Sequence, residues 1–265
     1  MAAPISQFCL CLGLASLAAD MAHADNLGLR AATLGLNSTG ADQNGAHLNL
    51  DYTITAHHGF ELNFDLADTE IGTIGGVRAG LYLIPADDRR YGLFAYLADL
   101  NNESSRWGGL GIQGRRQIAG LGLGAYGGFG VRDSAMATRP LGDADVLFAG
   151  GEIRLDLGPS WQGFAQIGFP EFDELRLSTT QITGEIGVQW LDHSGAVAVT
   201  ASYGFEDFSN PALRDRGQFR LGVEIALGKR PVYTPCPLQT HSCLWWLVGY
   251  NAPPKNPFHP APLLI

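Results

Sequence analysis

The residues best suited to chemistry are three neighbours, Asp192, His193 and Ser194. A carboxylate, an imidazole and a hydroxyl form a hydrolytic triad when a fold brings them together in hydrogen-bond order. Consecutive residues of a strand point to opposite faces of a sheet, however, and this run followed by Gly195 is typical of a hairpin turn. The sequence therefore predicts a turn and no catalytic residue, and a hydrolase stays the third of three hypotheses.

The remaining histidines and the cysteines give weaker signals. His57 and His58 occupy a tight reversal, and no serine and carboxylate are spaced to form a triad with His47. Cys236 and Cys243 predict one disulfide that closes a short loop in an oxidising compartment. A metal site from Cys236, His241 and Cys243 would lack an evident fourth ligand. We therefore expect no metal and no cofactor.

Composition excludes some classes of function. The 265 residues carry a formal net charge of −9, with 16% charged residues and 35 glycines. Nucleic-acid binding would call for a basic patch, so no nucleic-acid partner is expected. Low charge and abundant glycine suit a chain in which apolar and polar residues alternate one by one.

Alternation is the dominant pattern of the chain. From Leu48 to Leu66 the even positions are apolar and most odd positions polar, broken only by the His57-His58-Gly59 reversal, and this is the period of a β-strand. The pattern recurs in twelve segments of about ten residues, the length that a tilted membrane strand needs. They are 28–37, 46–56, 59–67, 74–84, 90–98, 105–114, 118–131, 145–156, 160–169, 180–191, 195–205 and 217–228. The sequence thus predicts an all-β, closed antiparallel transmembrane barrel of about twelve strands, with ten as the alternative.

The connections support the same architecture. Short reversals at 57–59, 85–90, 115–117, 158–159 and 192–195 alternate with longer polar links at 38–45, 68–73, 99–105, 132–144, 170–179 and 206–216. Outer-membrane barrels have short turns on the periplasmic side and long loops outside. We therefore expect both chain ends on the periplasmic side.

The two ends of the chain differ from the alternating middle. An apolar run from Phe8 to Ala19 precedes Ala22-His23-Ala24, which has the form of a signal-peptidase site. Residues 1–24 are predicted to be a signal peptide, and residues 25–228 the barrel. Residues 229–265 hold eight prolines, which forbid a continuous helix or strand, and are predicted to be a periplasmic tail.

The last alternating segment carries a recognisable signal. Arg220-Leu221-Gly222-Val223-Glu224-Ile225-Ala226-Leu227 has the order polar, any, glycine, any, any, apolar, any, apolar. It resembles the last-strand signal that the barrel-assembly machinery of Gram-negative bacteria recognises. With the signal peptide and the strand pattern, residues 25 to 228 resemble a porin-like outer-membrane β-barrel protein. The resemblance implies an outer-membrane location, with this machinery, membrane lipid and lipopolysaccharide as partners.

Charged residues on the polar rows would line the lumen. The candidates are Asp51, Glu61, Asp65, Arg78, Arg115, Glu152, Arg154, Glu185, Arg220 and Glu224, with Asp156 beside them. Enclosed charges must pair or stay hydrated. The lumen is therefore either a water-filled pore for small hydrophilic solutes, which we favour, or a salt-bridged closed barrel with a structural, adhesive or lipid-anchoring role. Acidic residues in the long links suit divalent cations shared with lipid head groups.

Overall fold

The computed structural model describes residues 28–39, 43–69, 72–100, 105–134, 144–174, 177–209 and 216–227. The predicted signal peptide, the tail and its cysteines lie outside these ranges. Twelve strands are present: β1 (Leu29–Thr39), β2 (Gln43–Thr53), β3 (His58–Thr69), β4 (Gly72–Ala86), β5 (Arg89–Leu100), β6 (Ser105–Ile118), β7 (Leu121–Ser134), β8 (Ala144–Asp156), β9 (Trp161–Glu174), β10 (Leu177–Leu191), β11 (Val197–Phe208) and β12 (Arg216–Ala226).

The sheet closes on itself. Each strand pairs antiparallel with the next along the chain, and β1 pairs with β12. The prediction of a closed antiparallel barrel is confirmed, with twelve strands rather than ten. The β1–β12 seam has six register pairs, from Thr33 with Ala226 to Ser38 with Leu221. The β1–β2 pairing is longer and runs from Leu29 with Tyr52 to Thr39 with Gln43.

The outer face of the barrel is apolar. Leu93, Leu97 and Ile112 are each 63% exposed, and Phe219 is 75% exposed. Exposure of this kind around a whole sheet would promote aggregation in water, but it matches the apolar belt that a membrane barrel turns to lipid. Trp161 and Trp190 end two outward rows and are register partners, in the place where barrels carry their aromatic girdles. No helix in the described part of the chain is long and apolar enough to cross a membrane.

Tight turns join the strands at one end of the barrel. They lie at 54–57, 87–88, 119–120, 157–160 and 192–196. The predicted reversal at 115–117 is instead strand, because β6 continues to Ile118 and the turn is formed by Ala119 and Gly120. Both have positive φ, 45° and 83°, as a two-residue hairpin turn requires, and glycine adopts such values readily.

Strands extend beyond the predicted segments at the opposite end. β7 runs through Ser134, β9 through Glu174 and β11 through Phe208, so residues predicted to lie in loops continue the alternation. Arg132 and Glu206 thereby become inward-facing and buried. Both described chain ends, Leu29 in β1 and Ala226 in β12, lie at the end that carries the tight turns.

Candidate functional site: the lumen wall

All ten predicted lumen residues lie on inward rows. In β2 and β3 the register pairs Asp51 with Glu61 and His47 with Asp65, while Leu48 and Phe64 face out between them. The same alternation places Arg78, Arg115, Glu152, Arg154, Glu185, Arg220 and Glu224 inside. Two surfaces can be distinguished. We call the lumen face of β2–β8 the arginine wall, and that of β9–β12 and β1 the amide wall.

Glu61 is the centre of the arginine wall. Its Oε2 accepts a hydrogen bond of 2.5 Å from Arg90 Nη2, and its Oε1 lies 3.3 Å from Arg78 Nη2. The Gln113 amide donates to Oε1 at 2.9 Å and accepts from Arg78 at 2.6 Å. Glu61, Arg78 and Arg90 are all buried. One carboxylate thus holds two guanidiniums, and such charge-assisted contacts are the strong ones.

Asp51 extends this network towards the turns. Its carboxylate accepts a hydrogen bond from the Tyr82 hydroxyl and lies 3.9 Å from Arg90 Nη1. The Arg90 guanidinium stacks 3.4 Å above the Tyr82 ring, and Arg78 lies 4.4 Å above Phe94. Planar guanidiniums suit this combination of ion pairing and stacking.

A second network lies further along the arginine wall. Arg115 donates to Glu152, and Arg154 Nε lies 3.6 Å from the other Glu152 oxygen. Arg154 also donates to Gln162 at 3.3 Å, and Gln162 donates to Asp156 at 2.9 Å. Glu152 is buried while both arginines are partly exposed. Each arginine therefore keeps an exposed portion on the lumen side.

Glycines on neighbouring strands lie beneath these charged side chains. An added Cβ at Gly80 would come 2.9 Å from Glu61 Cγ, and one at Gly124 would come 2.6 Å from Glu152 Cγ. Gly128 in β7 has the same use, because a Cβ built there would lie 2.5 Å from Phe148 Cζ. Side chains therefore lie along the wall where a larger neighbour would force them away from it.

Neutral hydrogen-bonding residues dominate the amide wall. Glu185 accepts from Gln166 at 2.6 Å, from Ser202 at 2.5 Å and from Arg220 at 3.0 Å. Gln189 donates to Thr200 at 3.3 Å. The inward row of β10 contains Thr179, Gln181, Thr183, Glu185 and Gln189 and alternates with outward Ile182, Ile186, Val188 and Trp190. The Glu185 charge is thus matched by one arginine and two neutral donors.

His47 connects the two walls across the closing seam. Its Nε2 lies 3.6 Å from Glu224 Oε2, although β1 separates their strands. Gly35 is the register partner of both residues. A Cβ there would lie 1.9 Å from His47 Cε1, so only glycine leaves room for the imidazole to cross β1.

Aromatic side chains cover the arginine wall nearer the loop end. Phe148 lies 6.1 Å from Phe94 and 5.8 Å from Tyr96, and Trp107 meets Phe172 edge to face at 5.9 Å. The Arg132 guanidinium lies 5.2 Å from the Trp107 ring. These centroid separations are those of stabilising aromatic pairs. The wall is therefore ionic near the turns and aromatic near the loops.

Asp192, His193 and Ser194 form a turn, as predicted. Ser194 Oγ donates to Asp192 Oδ2 at 2.5 Å, and the Val197 amide donates to Asp192 Oδ1 at 2.9 Å. The Ser194 hydrogen bond holds the pKa of the Asp192 carboxyl below its usual range. The Ser194 hydroxyl proton therefore points to the Asp192 carboxylate. Among the described residues, no three His, Cys, Asp or Glu side chains are arranged to hold a metal ion.

Sequence reasoning missed three buried charges. Arg90 lies where the predicted reversal 85–90 and the predicted strand 90–98 overlap, and Arg132 and Glu206 lie in predicted loops, yet all three are inward and at most 7% exposed. The alternation itself could have found them. Arg90 continues the row of Phe94, Arg132 that of Tyr126, and Glu206 that of Ser202, each at even spacing.

Comparison with known proteins gives a likeness of fold. No family model and no curated protein matches the chain. The solved structure of the NanC porin matches with a TM-score of 0.53 and 11% identity, over 74% of this chain and 98% of that one. The KdgM porin matches at 0.47 and 10% over 74% and 98%, and OmpT of Vibrio cholerae at 0.43 and 10% over 74% and 97%.

The closed sheet, its apolar outer belt and its polar interior define a transmembrane β-barrel. Its fold is that of the outer-membrane porins, with twelve strands.

Proposed function

We propose that the protein is a passive pore of the outer membrane for small hydrophilic solutes. The observation that carries the proposal is the course of the lumen contacts. The polar contacts described above for Asp51, Glu61 and Glu185 join strands at most three positions apart around the ring, as Glu61 in β3 with Gln113 in β6. The ionic networks therefore follow the wall.

Barrel size supports the same function. About eight strands give an interior that side chains fill, and sixteen or more leave a wide channel. A barrel of twelve strands lies between these limits. The Glu61 and Glu152 side chains lie over Gly80 and Gly124. They therefore project less into the lumen than they would over larger residues, which suits a narrow aqueous path.

Conductance of the full chain in planar lipid bilayers tests the pore. Discrete current steps are expected from protein that shows the heat-dependent gel mobility of a folded barrel. Folded protein that inserts without such steps would contradict the proposal. The matched control is the same preparation unfolded by boiling, which should give no steps.

A closed barrel with a structural, adhesive or lipid-anchoring role is the second candidate. One observation favours it: Asp51, Glu61, Arg78, Arg90 and Glu152 are each at most 7% exposed. Charges withdrawn from water to this extent also suit an interior held shut by ion pairs. If the arginine wall closes the barrel, Glu61→Gln should create conductance that the unaltered protein lacks.

Location and partners belong to the same proposal. We place the tight-turn end, with both described chain ends, in the periplasm, and the apolar belt in contact with outer-membrane lipid and lipopolysaccharide. The Arg220–Leu227 segment lies in and just after the last strand, with Leu221, Val223 and Ile225 facing out. It would be recognised by the barrel-assembly machinery, so exchanging Gly222 and Leu227 for aspartate should reduce assembly in cells.

No catalytic role is proposed for the Asp192–Ser194 turn. Hydrolysis of a lipid or peptide substrate by the full chain, abolished in His193→Ala, would contradict this view. Assay of the unaltered protein beside that variant decides the point.

A further inference from the structure

We propose that the outer face of β8–β12 holds a groove that binds one acyl chain of a phospholipid, in the membrane leaflet next to the tight turns. The inference goes beyond the proposed pore, because the groove lies on the outside of the barrel and does not depend on permeation. It rests on the volume and lining of the groove, on the side chains that shape it, and on a tryptophan pair at its end.

The groove is apolar and large enough for a ligand. It has a volume of about 750 Å³ and is lined by residues of β8, β9, β10, β11 and β12. Binding sites for small organic ligands occupy about 300–1,000 Å³. Among the lining residues within the described ranges, only Arg220 carries a charge, and its guanidinium turns inward to Glu185 at 3.0 Å. The groove therefore presents hydrocarbon to a ligand, which suits an acyl chain.

Small outward residues form the floor of the groove. Gly163 of β9 and Ala201 of β11 lie on either side of Val188 of β10, and both are in register with it. The flanks are larger, since Leu155 is the register partner of Gly163, and Leu221 is that of Ala201. Across five strands the row thus changes from large to small and back to large, which leaves a hollow between the flanks.

Two aromatic side chains bound the groove towards the loop end. The Tyr203 ring lies over Gly217, where an added Cβ would overlap the phenol oxygen. It therefore points along the wall and away from the floor at Ala201. Phe219 packs against Tyr203 with a centroid distance of 5.1 Å and is 75% exposed. One ring is thus held against the wall, while the other stands out and forms a rim.

The occupant follows from continuity with the face that meets lipid. The apolar belt continues beyond both flanks, with Leu123 of β7 and Leu36 of β1 exposed, so acyl chains reach the groove from the surrounding membrane. A flexible chain can follow a hollow on a curved surface, whereas the outer face of a second barrel is itself convex. A chain in the hollow gains van der Waals contacts on several sides, and such packing is what favours association between apolar surfaces in a membrane.

A tryptophan pair marks the depth of the groove in the membrane. Trp161 and Trp190 are register partners, and Gly163 with Val188 is the next outward pair towards the loop end. Tryptophan collects at the boundary between head groups and hydrocarbon. The groove therefore begins just inside the hydrocarbon at the tight-turn end. In the orientation proposed above this is the periplasmic leaflet, which holds the phospholipids of an outer membrane.

Retention of phospholipid by the full chain tests the groove. The protein is purified in detergent, supplied with palmitoyl-oleoyl-phosphatidylethanolamine and analysed by native mass spectrometry, and a phospholipid adduct is expected. Ala165 lines the groove between its register partners Ile153 and Ile186. Ala165→Phe should reduce the adduct about tenfold, because the phenyl ring fills the hollow and removes the contacts of the chain.

Ala149→Phe is the matched control. Ala149 is outward and exposed on β8, two outward positions from Ile153 towards the loop end, and it does not line the groove. This variant should keep the adduct. Heat-dependent gel mobility reports whether both variants fold. Leu155→Ala, which lowers one flank without adding bulk, should also reduce the adduct and replaces Ala165→Phe if that variant does not fold.

Each contrary outcome has a distinct meaning. No adduct on the unaltered protein, or an equal adduct in folded Ala165→Phe, would overturn the groove. A lipid-free dimer that is lost in Ala165→Phe would assign the groove to a second copy of the chain and overturn the lipid. Preferential retention of lipopolysaccharide would overturn the leaflet. Conductance of Ala165→Phe should equal that of the unaltered protein, because Ala165 faces away from the lumen, so failure of the pore and failure of the groove are separate results.

Discussion

The two walls of the lumen satisfy their polar groups in different ways. On the arginine wall, Glu61 and Glu152 each hold two guanidiniums, and stacked rings surround them. On the amide wall, Glu185 is satisfied by one arginine and two neutral donors, and Gln181 and Thr179 are not satisfied at all. Buried atoms without a hydrogen-bond partner occur on both walls of the described barrel, since Asn63 Nδ2 and Arg78 Nη1 of the arginine wall are among them. The walls differ in that the arginine wall carries the denser ion pairing.

This difference in ion pairing bears on stability. A buried ion-pair network is costly to leave incomplete, so its members are fixed in place. The comparison predicts that substitutions on the arginine wall reduce stability more than matched substitutions on the amide wall.

The largest difference is expected from one added methyl group on each wall. In Gly128→Ala on β7, the new Cβ would lie 2.3 Å from the Leu110 backbone oxygen and 2.5 Å from the Phe148 ring. Backbone cannot move aside, so we expect a loss of about 3 kcal/mol or more, or failure to assemble. For Gly204→Ala on β11 the three atoms nearest to the new Cβ belong to the Arg220 guanidinium, at 3.2 Å or beyond, and this side chain can move, so the variant should fold. Heat-dependent gel mobility reports both; equal folding would remove the proposed difference.

Removing one carboxylate from each wall should give the next largest effect. Glu61→Gln removes the carboxylate that Arg78 and Arg90 share and leaves Arg90 only the longer Asp51 contact of 3.9 Å, which should lower the free energy of unfolding by about 3 kcal/mol. Glu185→Gln removes one carboxylate from the partly exposed Arg220 and should cost about 1 kcal/mol. Urea unfolding in vesicles, followed by tryptophan fluorescence, measures both. A larger loss in Glu185→Gln would reverse the assignment of the supporting wall.

Ion selectivity should respond to the arginine wall more than to the barrel rim. Changing Glu61 to Gln and Asp65 to Asn together removes two inward negative charges and leaves the arginines, so preference should shift towards anions. The reversal potential of inserted channels in a potassium chloride gradient measures the shift. The control changes Glu171 to Gln and Asp173 to Asn, both exposed. Unchanged selectivity in the inward variant would mean that the pair does not line the narrowest part.

The smallest effects are expected at two tight turns, one on each wall: the turn with Asp88 between β4 and β5, and the turn with Asp192 between β10 and β11. The pKa of Asp88 is lowered chiefly by its hydrogen bond from Arg89, and that of Asp192 by the Ser194 hydroxyl. Lowered folded-state values mean that each carboxylate stabilises the barrel above its ordinary value of 3.8, and this contribution disappears as pH falls through the folded-state value.

Asp88→Ala and Asp192→Ala should therefore be slightly less stable than the unaltered protein at neutral pH, and the difference should be smaller at about pH 3. Molar salt should reduce the Asp88 effect, since exposed ion pairs are screened, and leave the Asp192 effect. Urea midpoints at the two pH values and two salt concentrations measure this. A salt-independent Asp88 effect would show that its ion pairs contribute nothing.

Much of the fold could be predicted because the residues of a membrane strand alternate between an apolar side chain that faces lipid and a polar one that faces the lumen. The twelve strands and the inward direction of Asp51, Glu61 and Glu185 followed from that period alone. Strand ends were less predictable, because Arg132 and Glu206 lie among polar residues that also suit a loop. The turn at Ala119 and Gly120 was misplaced because the charged Arg115-Arg116-Gln117 run resembles a surface reversal.

The sequence by itself determined which side chains face lipid and which face the lumen, because a period of two leaves each residue one of two directions. Only the closed structure decided which charges meet. Arg90 reaches Glu61 across β4, and His47 reaches Glu224 over Gly35, because barrel curvature and register bring together residues far apart in the chain.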